Sequence, residues 1–298
     1  MIHALNPWLT VSSPAFVLMR PRQWVKNGFV AAPLFFTPEV IEPDTVWRIM
    51  MAVMGFCLIS SAVYVVNDIA DRRGDREHPS KRHRPIASGQ VEIGTAVWLA
   101  GGLFACGLSF SFTLGPTFLL LALLYCVINC AYSFGLKNFS ILDVMLVSSG
   151  FVLRVQAGAV LIDLEASVWL LVTTGLLALF LALAKRRDDV VLKLRGSHRA
   201  SLMGYTQRFL DISISMVLGA LLVTYLMYCT DQTVIERLGT DKVFLTTPFV
   251  VAGVLRYLQI TLVEERSGSP TNVVTSDPFL MVTIFGWLAL FGGLIHVS

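Results

Sequence analysis

The sequence predicts an all-α protein that crosses a membrane many times, and three observations support this fold class. Of its 298 residues 55% are hydrophobic, and the mean hydropathy is +0.70. Only 14% of the residues are charged, against about 25% in an ordinary soluble domain. Long uncharged stretches recur from one end of the chain to the other. Because a soluble protein of this length could not bury so much apolar surface, we predict a single transmembrane domain over residues 1–298.

The uncharged stretches give the number of spans, since one span needs about 20 mainly apolar residues. No Asp, Glu, Lys or Arg occurs between Glu92 and Lys137, which leaves room for two spans with a turn at Gly115 and Pro116. The first predicted span is the least apolar, and residues 1–18 are predicted as an interfacial helix. We predict nine transmembrane helices at 22–38, 46–67, 94–113, 116–135, 140–162, 166–185, 209–230, 243–263 and 278–297.

The distribution of basic residues predicts the orientation of these helices. Most of the 23 lysines and arginines lie in alternate loops, and the loops between them are short and mostly acidic. Lysine and arginine are concentrated in cytoplasmic loops of membrane proteins. We therefore expect a multi-pass protein of the inner (plasma) membrane with a cytoplasmic N-terminus. Two charged loops, 68–93 and 186–208, are expected on the cytoplasmic side.

The loop after the second predicted span carries Asp68, Asp71 and Asp75, preceded by Asn67. On a helix, positions i, i+3 and i+7 share one face. Three carboxylates this close repel each other unless a cation lies among them, and Mg²⁺ typically binds one or two carboxylates together with substrate phosphates. A solvated loop of mixed charges is the alternative, but ionisable groups at the end of a span are usually functional. We predict that the three aspartates are catalytic and bind Mg²⁺ against a diphosphate-bearing substrate, with Asn67 beside them.

Basic side chains after this cluster are candidates for contacts with phosphate. Lys81 and Arg84 follow it closely, and Lys185, Arg186 and Asp189 follow the sixth predicted span. Guanidinium and ammonium groups bind phosphate oxygens well. Membrane topology alone also explains arginines at this density. We expect the second group to face the aspartates across a shared cavity.

Two further positive groups lie within predicted spans. Arg154 lies deep in the fifth span and needs an anion, which is either a substrate phosphate or a carboxylate such as Asp143. Lys26, with Arg22 one turn before it, begins the first span. Its position is equally compatible with phosphate binding and with reaching back to the membrane surface. The spacing of the histidines does not predict a metal site.

Several motifs together resemble the UbiA superfamily of intramembrane prenyltransferases. The pattern Asn-Asp-x-x-Asp-x-x-x-Asp at 67–75 is the most specific of them. The closest resemblance is to the decaprenyl-phosphate phosphoribosyltransferase branch, and it extends over nearly the whole chain. It is carried by the stretches 20–27, 64–68, 81–89, 132–137, 142–144, 150–158, 184–186 and 268–270, and by Asp277.

The resemblance implies nine helices around a central cavity that opens to the cytoplasm and laterally to lipid. It implies Mg²⁺ as cofactor and transfer of 5-phosphoribosyl from phosphoribosyl diphosphate to a decaprenyl-type polyprenyl phosphate. Membrane lipids are the expected surroundings, a homo-oligomer is left open, and no nucleic acid is expected as a partner. The candidate phosphate contacts are Lys26, Lys81, Arg84, Lys137, Lys185 and Arg186.

The second charged motif separates this branch from the ordinary aromatic prenyltransferases, which carry a second aspartate-rich motif. Here residues 185–189 read Lys-Arg-Arg-Asp-Asp, which suits a donor with an additional phosphate. The alternative is a prenyltransferase that uses a prenyl diphosphate and an aromatic or quinone-precursor acceptor. A transporter is a third interpretation, but the aspartate-rich loop is not repeated in a second half of the chain, as an inverted repeat would suggest.

Overall fold

The computed structural model describes residues 13–37, 41–77, 81–191, 200–265 and 270–296, and over these residues all regular secondary structure is helical. Eight helices are long and apolar enough to cross a membrane. The all-α prediction is confirmed, and the predicted bounds agree closely except where noted below. The helices are α1 Pro43–Ala70, α2 Ile93–Thr113, α3 Pro116–Ser133, α4 Leu142–Leu161, α5 Val168–Val191, α6 Gln207–Thr230, α7 Thr247–Leu262 and α8 Pro278–His296. The span at α7 also includes the 3-10 helix Lys242–Thr246 that leads into it.

Short helices connect these long ones. Those with α-helical geometry are Pro14–Met19, Ala32–Phe35, Arg72–Glu77, Gln232–Leu238 and Pro270–Ser276. Those with 3-10 geometry are Pro21–Ala31, Lys81–His83, Leu136–Asn138, Ala200–Gly204 and Lys242–Thr246. Most of the interfacial helix predicted for residues 1–18 falls outside the described residues. Only its end is seen, as Pro14–Met19, where Ser13 Oγ accepts a hydrogen bond from the backbone N–H of Phe16 at 3.3 Å.

The segment predicted as the first span differs from the other eight. It begins as the 11-residue 3-10 helix Pro21–Ala31 and continues as the four-residue α-helix Ala32–Phe35. Pro33 lacks a backbone N–H, so a continuous α-helix through this position is disfavoured. With rises of about 2.0 and 1.5 Å per residue, the segment covers roughly 28 Å, close to the bilayer core thickness. The count of nine spans is therefore approximate: eight α-helical spans and one extended segment that packs against α1 and α4.

Apolar side chains fill two main cores between the helices. One core lies around α1, α3 and α4 and contains Phe56, Phe118 and Ala157. The other lies around α5, α6 and α7 and contains Phe180 and Leu218. Large apolar side chains also cover the outside of the bundle, as expected where helices meet lipid tails. The bundle thus resembles a membrane protein in its surface as well as in its helix lengths.

The 3-10 helix lies directly on α4 at Gly158. A methyl group at Gly158 would overlap the backbone oxygen of Val30 and would press on Pro33. We expect Gly158→Ala to destabilise the protein by about 1–3 kcal/mol, because backbone cannot move aside as a flexible side chain can. Gly219→Ala in α6 is the matched control, since no atom lies within 4 Å of its added methyl group. Thermal unfolding in detergent measures both variants, and equal stabilities would contradict the close approach.

Candidate active site

The aspartate motif lies where α1 ends and the chain turns into a second short helix. Asn67 and Asp68 belong to the last turn of α1, Asp71 caps it, and Asp75 lies in Arg72–Glu77. The Asp71 backbone N–H donates to the Asn67 carbonyl at 2.9 Å, and the Asp75 N–H donates to the Asp71 carbonyl at 2.8 Å. The chain therefore stays nearly helical across the motif. The loop expected from residue 68 is helical up to Glu77 apart from the turn at Asp71, because the backbone hydrogen bonds continue across the motif.

Asp68 and Asp75 point to the same cation. Arg84 Nη1 donates to Asp68 Oδ1 at 3.0 Å and to Asp75 Oδ2 at 2.7 Å. The Asp68 and Asp75 side chains are 3% and 5% exposed. Burial raises the pKa of the Asp75 carboxyl above its ordinary value, and the Arg84 guanidinium opposes that shift. One guanidinium thus joins two of the three aspartates that were predicted to share a helix face.

Lys137 and Arg20 complete the set of cations around the motif. The Lys137 ammonium forms an ion pair with Asp71 and donates to Asn67 Oδ1 at 3.2 Å. Arg20 Nη2 donates to Asp68 Oδ1 at 2.5 Å. Each aspartate in the motif therefore has a cationic partner, and these cations bring together segments that are far apart in the sequence.

Arg20 is a site residue that the sequence analysis did not single out. Its backbone lies in the left-handed region, at φ 52° and ψ 58°. A non-glycine residue there costs free energy and tends to occur at functional sites. Its guanidinium also lies over the Tyr64 ring, 5.1 Å from the centroid. The sequence feature that could have indicated Arg20 is its position directly before Pro21, the first residue of a helix.

Asp143 pairs with Arg186, and not with Arg154 as one interpretation had it. Arg186 Nε donates to Asp143 Oδ2 at 2.7 Å, and neither side chain is more than 4% exposed. In the part of the chain that the structure describes, the hydrogen-bond partners of Arg154 are neutral groups. The Asp143–Arg154 interpretation is therefore wrong, because Asp143 begins α4 at the same end of the bundle as Arg186, several turns from Arg154. The phosphate interpretation of Arg154 stays a prediction.

The second charged motif is helical up to Val191, where a loop was expected from residue 186. Residues 192–199 of that expected loop lie outside the described residues. Arg186 Nη1 donates to Asp189 at 3.2 Å within α5, and the Arg186–Asp143 pair braces α5 against α4. Lys185 is exposed. The helix continues because Asp143 compensates the Arg186 charge and allows it to be buried.

Two hydroxyl groups, from Tyr205 and Ser201, also donate hydrogen bonds to Asp143. Tyr205 donates to Asp143 Oδ1 at 2.7 Å, and Ser201 donates to Asp143 Oδ2 at 3.1 Å. Burial and the bond to Asp143 raise the pKa of the Tyr205 hydroxyl above its usual range. Asp143 thus fastens the ends of α4 and α5 to the Ala200–Gly204 turn.

The remaining predicted contacts lie partly at this charged end of the bundle and partly deeper between the helices. Lys81 is partly exposed on the short helix that leads to Arg84, and Arg22 is exposed at the start of the 3-10 helix. Lys26 is half-buried four residues further along that helix. The structure joins one group of sequence-predicted residues at the aspartate motif and a separate pair on α5. The first group is Asn67, Asp68, Asp71, Asp75, Arg84 and Lys137, and the pair is Arg186 and Asp189.

The donor set fits a divalent cation that is shared with a substrate. Among the described residues, no three Asp, Glu, His or Cys side chains are grouped closely enough to bind a metal by themselves. Mg²⁺ does not need such a cage, since it usually binds one or two carboxylates and completes its shell with water and phosphate oxygens. Asp68 and Asp71 are hard oxygen donors at the end of α1. Arg20, Arg84 and Lys137 now pair with these carboxylates. Each could pair with a substrate phosphate instead and still have an anionic partner.

Comparison with known proteins agrees with this architecture. Residues 28–275 match the UbiA prenyltransferase family. The decaprenyl-phosphate phosphoribosyltransferase of Corynebacterium glutamicum is 36% identical over 280 residues, covering 91% of this chain and 83% of that protein. The protein of the same name from Mycolicibacterium smegmatis is 33% identical over 293 residues, covering 94% of this chain and 92% of that one.

Solved structures give the same result for the fold. A UbiA homolog from Archaeoglobus fulgidus, bound to GPP and Mg²⁺, matches with a TM-score of 0.73 and 19% identity, covering 96% of this chain and all of that one. The same homolog bound to Cd²⁺ matches with a TM-score of 0.68. The family match covers most of the sequence, and the relatives align over nearly their whole length. The chain is therefore a transferase of the UbiA prenyltransferase family.

Proposed function

We propose that this protein transfers the 5-phosphoribosyl group from phosphoribosyl diphosphate to a decaprenyl-type polyprenyl phosphate and releases diphosphate. The observation that carries the proposal is the set of relatives named decaprenyl-phosphate phosphoribosyltransferase, at 33–36% identity over more than nine tenths of this chain. The many cations around the aspartates support it, since both substrates are phosphate anions.

In this reaction an oxygen of the acceptor phosphate forms a bond to C1 of the ribose as the bond from C1 to the diphosphate oxygen breaks. Asp68 and Asp71, with the Asn67 oxygen beside them, would hold Mg²⁺. The metal neutralises the charge that builds up on the departing diphosphate. The acceptor phosphate is already an anion at neutral pH, so the reaction does not depend on a strong general base.

The basic residues would bind and orient the phosphates. Arg84 and Lys137 already lie against the aspartates, so a diphosphate held there meets them directly. Asp75 accepts a hydrogen bond from the same Arg84 Nη1 as Asp68 does, and would thereby orient that guanidinium. In this proposal Arg20 is a further diphosphate contact. The other proposed phosphate contacts are Arg22, Lys26, Lys81, Arg154, Lys185 and Arg186, with Asp189 positioning Arg186.

A membrane setting suits the acceptor, whose long apolar chain remains in lipid while its phosphate reaches the charged end. We propose that this end faces the cytoplasm, because it carries most of the basic residues. An impermeant thiol reagent tests this on a chain without native cysteines. The reagent should label a cysteine placed at exposed Lys242 from outside the cell and one placed at exposed Ser88 only in inverted vesicles. The reverse pattern would contradict the orientation.

The assay of function uses purified protein, Mg²⁺, radiolabelled phosphoribosyl diphosphate and a polyprenyl phosphate. We expect label to enter the lipid fraction, and removal of Mg²⁺ with a chelator to stop it. A second arm offers a prenyl diphosphate with an aromatic acid. That alternative is kept because the 4-hydroxybenzoate octaprenyltransferase of Thiobacillus denitrificans is 27% identical over 85% of this chain. Prenylation of the aromatic acid, without label in the lipid, would overturn the proposal.

A further inference from the structure

Arg154 is a buried cation whose partners are all neutral. Its side chain lies within α4, and the residue is only 4% exposed. Nε donates to Asn27 Oδ1 at 2.9 Å, Nη1 to the Gly150 carbonyl at 2.7 Å, and Nη2 to the Tyr125 hydroxyl at 2.9 Å. A guanidinium has five N–H groups. Among the described residues these three bonds leave two N–H groups for a ligand.

Aromatic rings surround the same guanidinium. Its centre lies 4.7 Å from the Tyr125 ring centroid, 5.5 Å from that of Phe151 and 5.9 Å from that of Phe56. Ring faces attract a cation and hold it in one orientation, but they carry no net negative charge. Arg154 is therefore rigidly placed and still lacks a counter-ion among the described residues.

A second cation lies beside it. Lys26 precedes Asn27 on the 3-10 helix, and Asn27 is bonded to Arg154. Arg154 and Arg20, both positive, are near enough to Lys26 to repel its ammonium. Within the described part of the chain, no carboxylate lies within the 4.0 Å of an ion pair from Lys26. Two like charges inside an apolar bundle cost free energy unless an anion joins them.

The pair lies deeper in the bundle than the aspartates. Asn27 Nδ2 donates to Ser60 Oγ at 3.1 Å, and Ser60 lies on α1 eight residues before Asp68. At 1.5 Å per residue this places Asn27 about 12 Å further along the helix than Asp68. Tyr64 lies between the two levels, under Arg20. A lysine that only anchored the segment at the membrane surface would not need to lie against a second buried cation.

We propose that Lys26 and Arg154 form a phosphate-binding subsite, separate from the aspartates, that takes a phosphate monoester of one substrate. The inference rests on the proposed function, in which two groups have this chemistry: the 5-phosphate of the donor and the phosphate of the lipid acceptor. A bound monoester supplies the missing negative charge, and its oxygens accept hydrogen bonds from the two unused N–H groups of Arg154. If the monoester is the 5-phosphate of the donor, the subsite favours phosphoribosyl diphosphate over a prenyl diphosphate, which carries no such group.

The test is equilibrium binding to the full chain in lipid nanodiscs with Mg²⁺, comparing wild type with Lys26→Met. Methionine keeps the length of the side chain and removes its charge. The probes are inorganic phosphate, inorganic diphosphate, phosphoribosyl diphosphate and a short polyprenyl phosphate. We expect Lys26→Met to weaken inorganic phosphate and one of the two substrates at least tenfold, about 1.4 kcal/mol, and diphosphate by less than twofold.

The substrate that weakens identifies the source of the monoester: the donor if phosphoribosyl diphosphate is affected, the acceptor if the lipid phosphate is affected. Arg154→Lys, which keeps the charge but loses the fork of donors, should act in the same direction. Lys242→Met, at an exposed position at the other end of the bundle, is the charge control. Unchanged binding of all four probes to Lys26→Met would overturn the subsite. Lys26-dependent phosphate binding without binding of phosphoribosyl diphosphate would support the subsite and overturn the proposed function.

Discussion

Replacing Asp68 by asparagine should lower turnover by a factor on the order of 10²–10³, the usual loss when a preorganised electrostatic contact to the reacting groups is removed. Asp68 is 3% exposed and accepts hydrogen bonds from Arg20 at 2.5 Å and Arg84 at 3.0 Å. The amide keeps the shape but not the charge. It leaves two guanidinium groups facing each other at the point where the metal and the diphosphate are proposed to bind. The transferase assay described above measures the effect.

A second variant and a control make this result specific to the site. Asp71→Asn should have an effect of the same order, because Asp71 is the other proposed metal ligand and the partner of Lys137. Asp241→Asn removes an exposed carboxylate at the opposite end of the bundle and should leave turnover unchanged. Circular dichroism and thermal unfolding establish that each variant is folded. Near-normal turnover in a folded Asp68→Asn or Asp71→Asn protein would contradict the metal-site proposal.

The aspartate motif was predictable because its information is local. Three carboxylates at i, i+3 and i+7 share a face as soon as the backbone is helical, and the structure joins Asp68 and Asp75 through one guanidinium. The positions of most spans were predictable for the same reason, since an uncharged stretch of about 20 residues has few other stable environments. Both properties follow from neighbours along the chain.

The partner of a charge, by contrast, depends on how the helices pack. Asp143 was assigned as an alternative partner for Arg154 because both lie on α4, but Arg186 of α5 occupies that carboxylate. Arg20 was overlooked because its importance comes from Asp68, 48 positions away. The 3-10 geometry of Pro21–Ala31 was also not predictable, since it depends on the close contact with α4 at Gly158. Each of these features is a contact between elements that are distant in the sequence.

Replacing Asp143 by alanine should destabilise the protein by about 3–5 kcal/mol, the cost of removing one partner from a buried ion pair. Asp143 is 0% exposed and accepts hydrogen bonds from Arg186, Ser201 and Tyr205. Without it, the Arg186 guanidinium remains inside the bundle, and the more exposed Asp189 is its one remaining ion-pair partner among the described residues. The midpoint of thermal unfolding in detergent should fall well below that of wild type. Asp241→Ala, which removes an exposed carboxylate at the opposite end of the bundle, should cost much less.

A double variant separates the charge pair from ordinary packing. Arg186→Met removes the cation and keeps a long apolar side chain, and buried ion pairs replaced on both sides by apolar groups are often as stable as the original. Asp143→Leu combined with Arg186→Met should therefore be more stable than Asp143→Leu alone, although Ser201 and Tyr205 still lose an acceptor. If the two destabilisations simply add, the groups are not coupled and the pair does not hold α5 against α4. If they are coupled, the double variant should regain stability. Lower turnover of that folded double variant than of wild type would then show that the Arg186 charge serves the substrate as well as the structure.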